Sequence, residues 1–160
     1  MAREILFKAK RKDNGEWVEG GSLITFLDNG EKSFFMPQFN EKCICEHDEM
    51  TDDILSFSDC RFYKVDPETI CRYTGLTDKN DNKIWENDIV CTPYLDPIFG
   101  DMINDTILKD YTWNVTFTDG CFCVENEDRI IVLRCFTNGK NVEVLGNIFD
   151  NQEILKGSRP

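Results

Sequence analysis

Residues 73–90 read YTGLTDKNDNKIWENDIV, a strand, a charged turn and a second strand in direct succession. Gly75 has no Cβ and opens backbone geometry closed to other residues, while Asp78, Asn80, Asp81 and Asn82 bond their side chains to nearby amides and tolerate left-handed conformations. Residues 77–83 are therefore read as a turn. Ile84 and Trp85 return to apolar character, and Glu86, Asn87 and Asp88 make a second polar corner. Ile89, Val90 and Cys91 follow as a short run rich in β-branched residues, which reads as a strand. The stretch holds turn chemistry and no catalytic constellation.

Strands and turns continue on both sides. Downstream, 112–117, 121–124, 130–135 and 142–145 are strand candidates, with Asp119-Gly120 and Asn138-Gly139 as tight turns between neighbours. With 89–91 they predict a small barrel of short strands. Trp113, Val115 and Phe117 fall on one face of their strand, and Val142 and Val144 on one face of theirs, so they are expected to share an interior. Residues 92–110, with Pro93, Pro97 and Gly100, are expected to form a large loop with a helical turn near 102–108. Upstream, Ile5, Phe7 and Ala9 alternate with Glu4, Lys8 and Lys10, and Asp13-Asn14-Gly15-Glu16 supplies a hairpin turn before Trp17. The tetrad recurs as Asp28-Asn29-Gly30-Glu31, which predicts two successive hairpins in a meander. From 37 to 66 the pattern weakens into an acidic linker segment, with a short helix expected over 51–57 and Thr51 as its cap. Asp66-Pro67 marks the boundary, because the residue before a proline is pushed toward extended geometry. The predicted organisation is mainly β with little helix, an N-terminal β-hairpin meander at 1–66 followed by a barrel unit at 67–160.

YTGL, DKN and IWENDIV in the central block, with EVLGNIFDN at 143–151, resemble the YopX family of phage and prophage proteins. Members of that family open with a short basic strand similar to residues 3–10, and carry glycine where this chain has Asp81 and Asn87. The resemblance implies a C-terminal barrel similar to SH3 domains and no established activity. Residues 31–66 and 92–110 lie outside the matched motifs.

A chain of 160 residues is long enough to bury roughly 70% of its unfolded surface without metal or disulfide staples. Eighteen basic against thirty acidic side chains give a formal charge of -12, which repels phosphate backbones and disfavours direct nucleic-acid binding. Arg3, Lys8, Lys10, Arg11 and Lys12 cluster at the start and are read as a solvated strand edge. No signal-peptide pattern and no run of about 18 apolar residues is present, so a cytoplasmic protein in a bacterial host, away from membranes, is expected. In that reducing compartment the eight cysteines are expected to be free thiols, mostly buried.

Several constellations invite chemistry. Asp78-x-Asn80-x-Asn82 opens like a calcium loop, but Lys83 stands at the glycine position and Ile89 at that of the closing glutamate, so an Asx-rich turn is expected. Cys43, Cys45 and His47 bring two thiols and the single histidine together, yet lack the CxxC knuckle of a structural zinc site, and Cys60 with Cys71 would have to be recruited as the second ligand pair. Cys121 and Cys123 are expected to face the same side of one strand, inward. Glu46, Asp48, Glu49, Asp52 and Asp53 form a candidate acidic interaction surface. No catalytic residue and no cofactor is assigned. The leading expectation is a non-catalytic accessory protein that binds another protein or its own copies. An acidic mimic of nucleic acid that occupies a host DNA-binding protein stands second, and a zinc-dependent or Cys/His enzyme third.

Overall fold

The computed structural model describes residues 4–28, 30–38, 44–47, 54–58, 61–92, 111–127, 129–137 and 141–156. The chain is mainly β and divides into two units, residues 4–70 and residues from 71 onward. No helix among the described residues is long and apolar enough to cross a membrane.

The first unit contains β1 (Phe7–Lys10), β2 (Trp17–Gly20), β3 (Ile24–Asp28), β4 (Glu31–Gln38), β5 (Ile44–His47), β6 (Ile54–Ser58) and β7 (Arg61–Val65), then a single 3-10 turn at Pro67–Thr69. Both DNGE tetrads make hairpin turns, joining β1 to β2 and β3 to β4, and Gly15 (φ 74°) and Gly30 (φ 86°) take the left-handed backbone that such turns require. The two hairpins do not form the expected meander. β4 pairs with β3 on one edge and with β7 on the other, giving a separate sheet ordered β3-β4-β7. Gly20 and Gly21 sit at the break between the hairpins, and a Cβ on Gly20 would lie 3.4 Å from the Met36 methyl, so the chain passes close over the core. Pro37 fits within β4 because β3 pairs only as far as Phe35, leaving no ladder bond for its missing N–H on that side. Ala9, Met36 and Val65 form the buried core, flanked by Phe7, Val18, Leu23, Phe34 and Ile70.

The segment read as a linker with a helix is instead stranded. Ile54–Ser58 forms β6, antiparallel to β5, and the rest of the expected helix, 51–53, lies outside the described residues. Asp66 is extended (ψ 115°), as its proline neighbour dictates, and its carboxylate accepts from Glu68 N at 3.2 Å to cap the 3-10 turn.

The second unit contains β8 (Cys71–Thr77), β9 (Lys83–Trp85), β10 (Asp88–Thr92), β11 (Tyr111–Thr118), β12 (Cys121–Glu125), β13 (Ile130–Val132), α1 (Arg134–Thr137), β14 (Glu143–Asn147) and α2 (Gln152–Lys156). β10 to β14 form one antiparallel sheet in the order β13-β12-β11-β10-β14, so the last strand returns beside the first of the set. Among the described residues no pairing closes this sheet into a barrel. Its core comprises Ile84, Val90, Trp113, Val115, Val124, Leu133, Phe136 and Val142, with the Trp113 indole N–H donating to Thr92 Oγ1 at 2.8 Å. The strand expected over 130–135 stops at Val132. Leu133 and Phe136, three apart, both enter the core, a spacing that a helical turn satisfies and a strand does not. The Asp119-Gly120 turn is present with φ 49° and 79°. Asn138-Gly139 and the helical turn near 102–108 fall outside the described residues.

Candidate functional site

The corner built by residues 71–92 holds the densest group of buried polar side chains. β8 bulges at Gly75 (φ 81°), where the register jumps from Tyr73 opposite Trp85 to Thr77 opposite Lys83. Thr74 bridges the gap in the ladder, its hydroxyl donating to Ile84 O at 2.8 Å and accepting from Leu76 N at 3.2 Å. The following turn is organised by Asp78, which is fully buried. Its carboxylate accepts from Asn80 N (2.8 Å), Asn82 N (2.9 Å), Asn82 Nδ2 (3.2 Å) and, across the sequence, Val144 N (3.1 Å). Burial alone would raise its pKa, but the hydrogen bonds from Val144, Asn82 and Asn80 outweigh that and hold the carboxyl below its ordinary value. The carboxylate that opens the calcium-like pattern thus points its lone pairs at amides, and the Asx-rich turn is what forms. Lys79 adds an ion pair to Glu143 at 2.6 Å.

The second polar corner works in the same way. Asp88, also buried, accepts from Trp85 N at 2.8 Å. Asn87 has φ 66° and Asp81 φ 63°, so both positions are left-handed here. Asn87 N–H donates to Val115 O (2.7 Å), and its carbonyl accepts from Ile148 N (3.0 Å). Glu86 receives a bidentate pair from the Arg72 guanidinium at 2.9 and 3.0 Å, and that guanidinium stacks 3.9 Å from the Phe117 ring centroid. EVLGNIFDN supplies the third corner. Asn147 Oδ1 accepts from Phe149 N and Asp150 N at 2.9 and 3.0 Å, and a Cβ on Gly146 would collide with the Asn151 amide that caps Asn147 N.

Chemically, this corner positions backbone. Among the described residues no group of three or more His, Cys, Asp or Glu side chains is placed to hold a metal ion. Of the candidate zinc residues, Cys43 and Cys60 lie outside the described residues, while Cys45 and His47 lie on β5, whose backbone alone is described. Cys71 is buried in the second unit, its sulfur accepting from Asn87 Nδ2 at 3.7 Å. Of the candidate acidic surface, Glu46 lies on β5, and Asp48, Glu49, Asp52 and Asp53 fall outside the described residues. Cys121 and Cys123 do share one face of β12 and stand 3.6 Å apart, sulfur to sulfur.

A different surface was not anticipated. On the β3-β4-β7 sheet, Met36, Phe34 and Val65 turn toward the core, so Ile24, Phe26, Phe35 and Phe62 occupy the opposite face. Phe26 is 52% exposed and stacks edge-on against Phe35 at 5.4 Å, while Phe62 is 40% exposed. Leu27, 69% exposed, projects from the other side of the same edge strand. Among the described residues β3 pairs only with β4.

The family profile described as YopX protein matches residues 6–156. No curated protein matches the chain. Among solved structures, the crystal structure of protein EF1440 from Enterococcus faecalis is similar, with 22% identity over 96% of this chain and 99% of that one, and a TM-score of 0.51. At that identity the likeness extends to the fold. The profile spans the hairpin start, the DKN and WENDIV corners and the GNIFDN close, and the chain belongs to the YopX family.

Proposed function

We propose that the chain is a non-catalytic accessory protein of phage or prophage origin, working in the bacterial cytoplasm by binding another protein or a second copy of itself. The observation that carries this reading is the exposed apolar face of the β3-β4-β7 sheet, whose strand β3 pairs only with β4 among the described residues. An extended partner strand laid along β3 would take up the outward N–H and C=O groups, with Phe26 and Leu27 giving apolar contact on either side. YopX membership supports the phage origin. The return of β14 beside β10 after the α1 turn supports an SH3-like character for the second unit. The acidic-mimic reading is supported by the charge of -12.

The test compares the wild-type chain with a Phe26→Asp/Leu27→Lys double variant, both checked for an unchanged melting temperature. Tagged copies are recovered from lysogenic cells and their mass measured by light scattering. A partner or self-association retained by the wild type and lost by the variant supports the reading. Identical behaviour of the two, or retention of only a basic DNA-binding protein by both, rejects it in favour of mimicry.

A further inference from the structure

We propose that the exposed face of the β3-β4-β7 sheet takes an extended segment of another protein that is both cationic and apolar, with an arginine or lysine two positions from an apolar residue. The inference rests on the docking reading above and names the chemistry of the partner. Strand alternation puts positions 24, 26 and 28 of β3, 31, 33, 35 and 37 of β4, and 62 and 64 of β7 on this face. Phe26, Phe35 and Phe62 are its rings, and Phe26 and Phe62 are exposed. At the turn end of the same face, Asp28 and Glu31 stand directly opposite each other in the register. Like charges so placed destabilise a strand pair, and Glu31 is exposed with no ion pair among the described residues. A cation brought by the partner relieves that repulsion. β3 pairs only with β4 among the described residues, and a strand laid beside β3 would set one residue at Asp28 and the next on that side at Phe26. This is the origin of the two-residue spacing.

A second observation concerns the rings. Elsewhere the chain covers its rings with its own cations: Lys8 and Lys10 lie 5.1 and 5.4 Å from the Trp17 centroid, Arg11 4.0 Å from Tyr63, and Arg72 3.9 Å from Phe117. Among the described residues no such contact involves Phe26 or Phe62, so these rings are available to a cation from outside the chain. The cations nearby do not serve the acidic end. Lys32 is paired with Leu27 and belongs to the other side of the sheet, and Lys64 lies on β7, three strand spacings or about 14 Å from a strand beside β3. The charge of -12 steers a basic partner toward the chain and an acidic one away. A wholly apolar partner would leave the carboxylates facing each other.

The experiment measures, by fluorescence anisotropy at low salt, the binding of three dye-labelled, end-blocked heptapeptides to the full-length chain. They are Arg-Val-Val-Thr-Val-Val-Arg, Glu-Val-Val-Thr-Val-Val-Glu and Arg-Ser-Ser-Thr-Ser-Ser-Arg, whose palindromic order suits either strand direction. The arginine-valine peptide is expected to bind at least about tenfold more tightly than each of the others, and to lose most of its lead over the glutamate peptide in about 1 M salt. Glu31→Lys is expected to weaken it by about tenfold. No binding of the arginine-valine peptide, or equal binding of the arginine-serine peptide, overturns the proposal, and both are read on the unmutated chain. Binding unchanged by Phe26→Ser/Leu27→Ser overturns it as well, because net charge alone would then account for the affinity. Self-association or a cellular partner lost in Phe26→Asp/Leu27→Lys, with no preference among the three peptides, overturns the basic partner while the docking face stands.

Discussion

The two units solve the same β problem with different means. Among the described residues, the second unit encloses a cluster of eight buried core residues and closes its corners with the buried carboxylates of Asp78 and Asp88 and with the half-buried Asn87. Among the described residues, the first buries a cluster of three, and large apolar side chains reach solvent in both units, Phe26, Leu27 and Phe62 in the first and Phe117, Ile130, Val132 and Leu145 in the second. Among the described residues, the larger buried cluster is therefore in the second unit. A protein organised in this way tolerates change on the aromatic sheet far better than change at the polar corners.

The largest expected effect is on the second core. Trp113→Ala removes an indole that packs against Phe136 and donates to Thr92, and should destabilise by about 3–5 kcal/mol in urea unfolding. If Met36→Ala in the first core costs more than Trp113→Ala, the contrast between the units fails. Asp78→Ala comes next, at about 2–3 kcal/mol, because it strands the amides of Asn80, Asn82 and Val144.

Asp78 also carries a pH signature. Its folded pKa is depressed, so its contribution is fully present above the unfolded value of about 3.9 and is lost as pH falls through the folded pKa. Acid unfolding of the wild type should thus steepen below about pH 4, and Asp78→Asn should flatten that limb. An unchanged acid limb in the variant would mean that the carboxylate is not the anchor.

Smaller effects sharpen the account of the corners. Gly146→Ala should cost about 1–2 kcal/mol, since the Asn151 amide must leave Asn147 N to make room. At the left-handed positions Asp81 and Asn87, substitution by alanine should cost about 1 kcal/mol, while glycine should be nearly neutral. At the bottom of the scale, Phe26→Asp should change stability by no more than about 0.5 kcal/mol. A larger loss there would show that the aromatic sheet is part of the structural core.

The turns were legible because their chemistry is local. DNGE, DG and the Asx cluster each encode a left-handed residue or a side-chain-to-amide bond within a few positions, and the structure has them at 13–16, 28–31, 119–120 and 78–82. Pairing partners were not legible, because β4 reaches past β5 and β6 to find β7, and no pattern within a single strand names its neighbour. The acidic character of 44–58 masked two strands, and the run 130–135 has apolar residues compatible with either period until Leu133 and Phe136 are seen to share one core. On β3, both Ile24/Phe26 and Thr25/Leu27 are plausible inward pairs, so the exposed aromatics emerge only once Met36 and Val65 fix which side is filled. The shared face of Cys121 and Cys123 followed from strand alternation.

The Val144 amide bonds to a carboxylate 66 residues earlier, inside the Asx turn. Its proton can exchange with deuterium only when β14 leaves the sheet or the Asx corner opens. That one resonance is consequently a gauge of the unit's integrity, readable by NMR without a label or a known ligand, and it should exchange among the slowest in the chain.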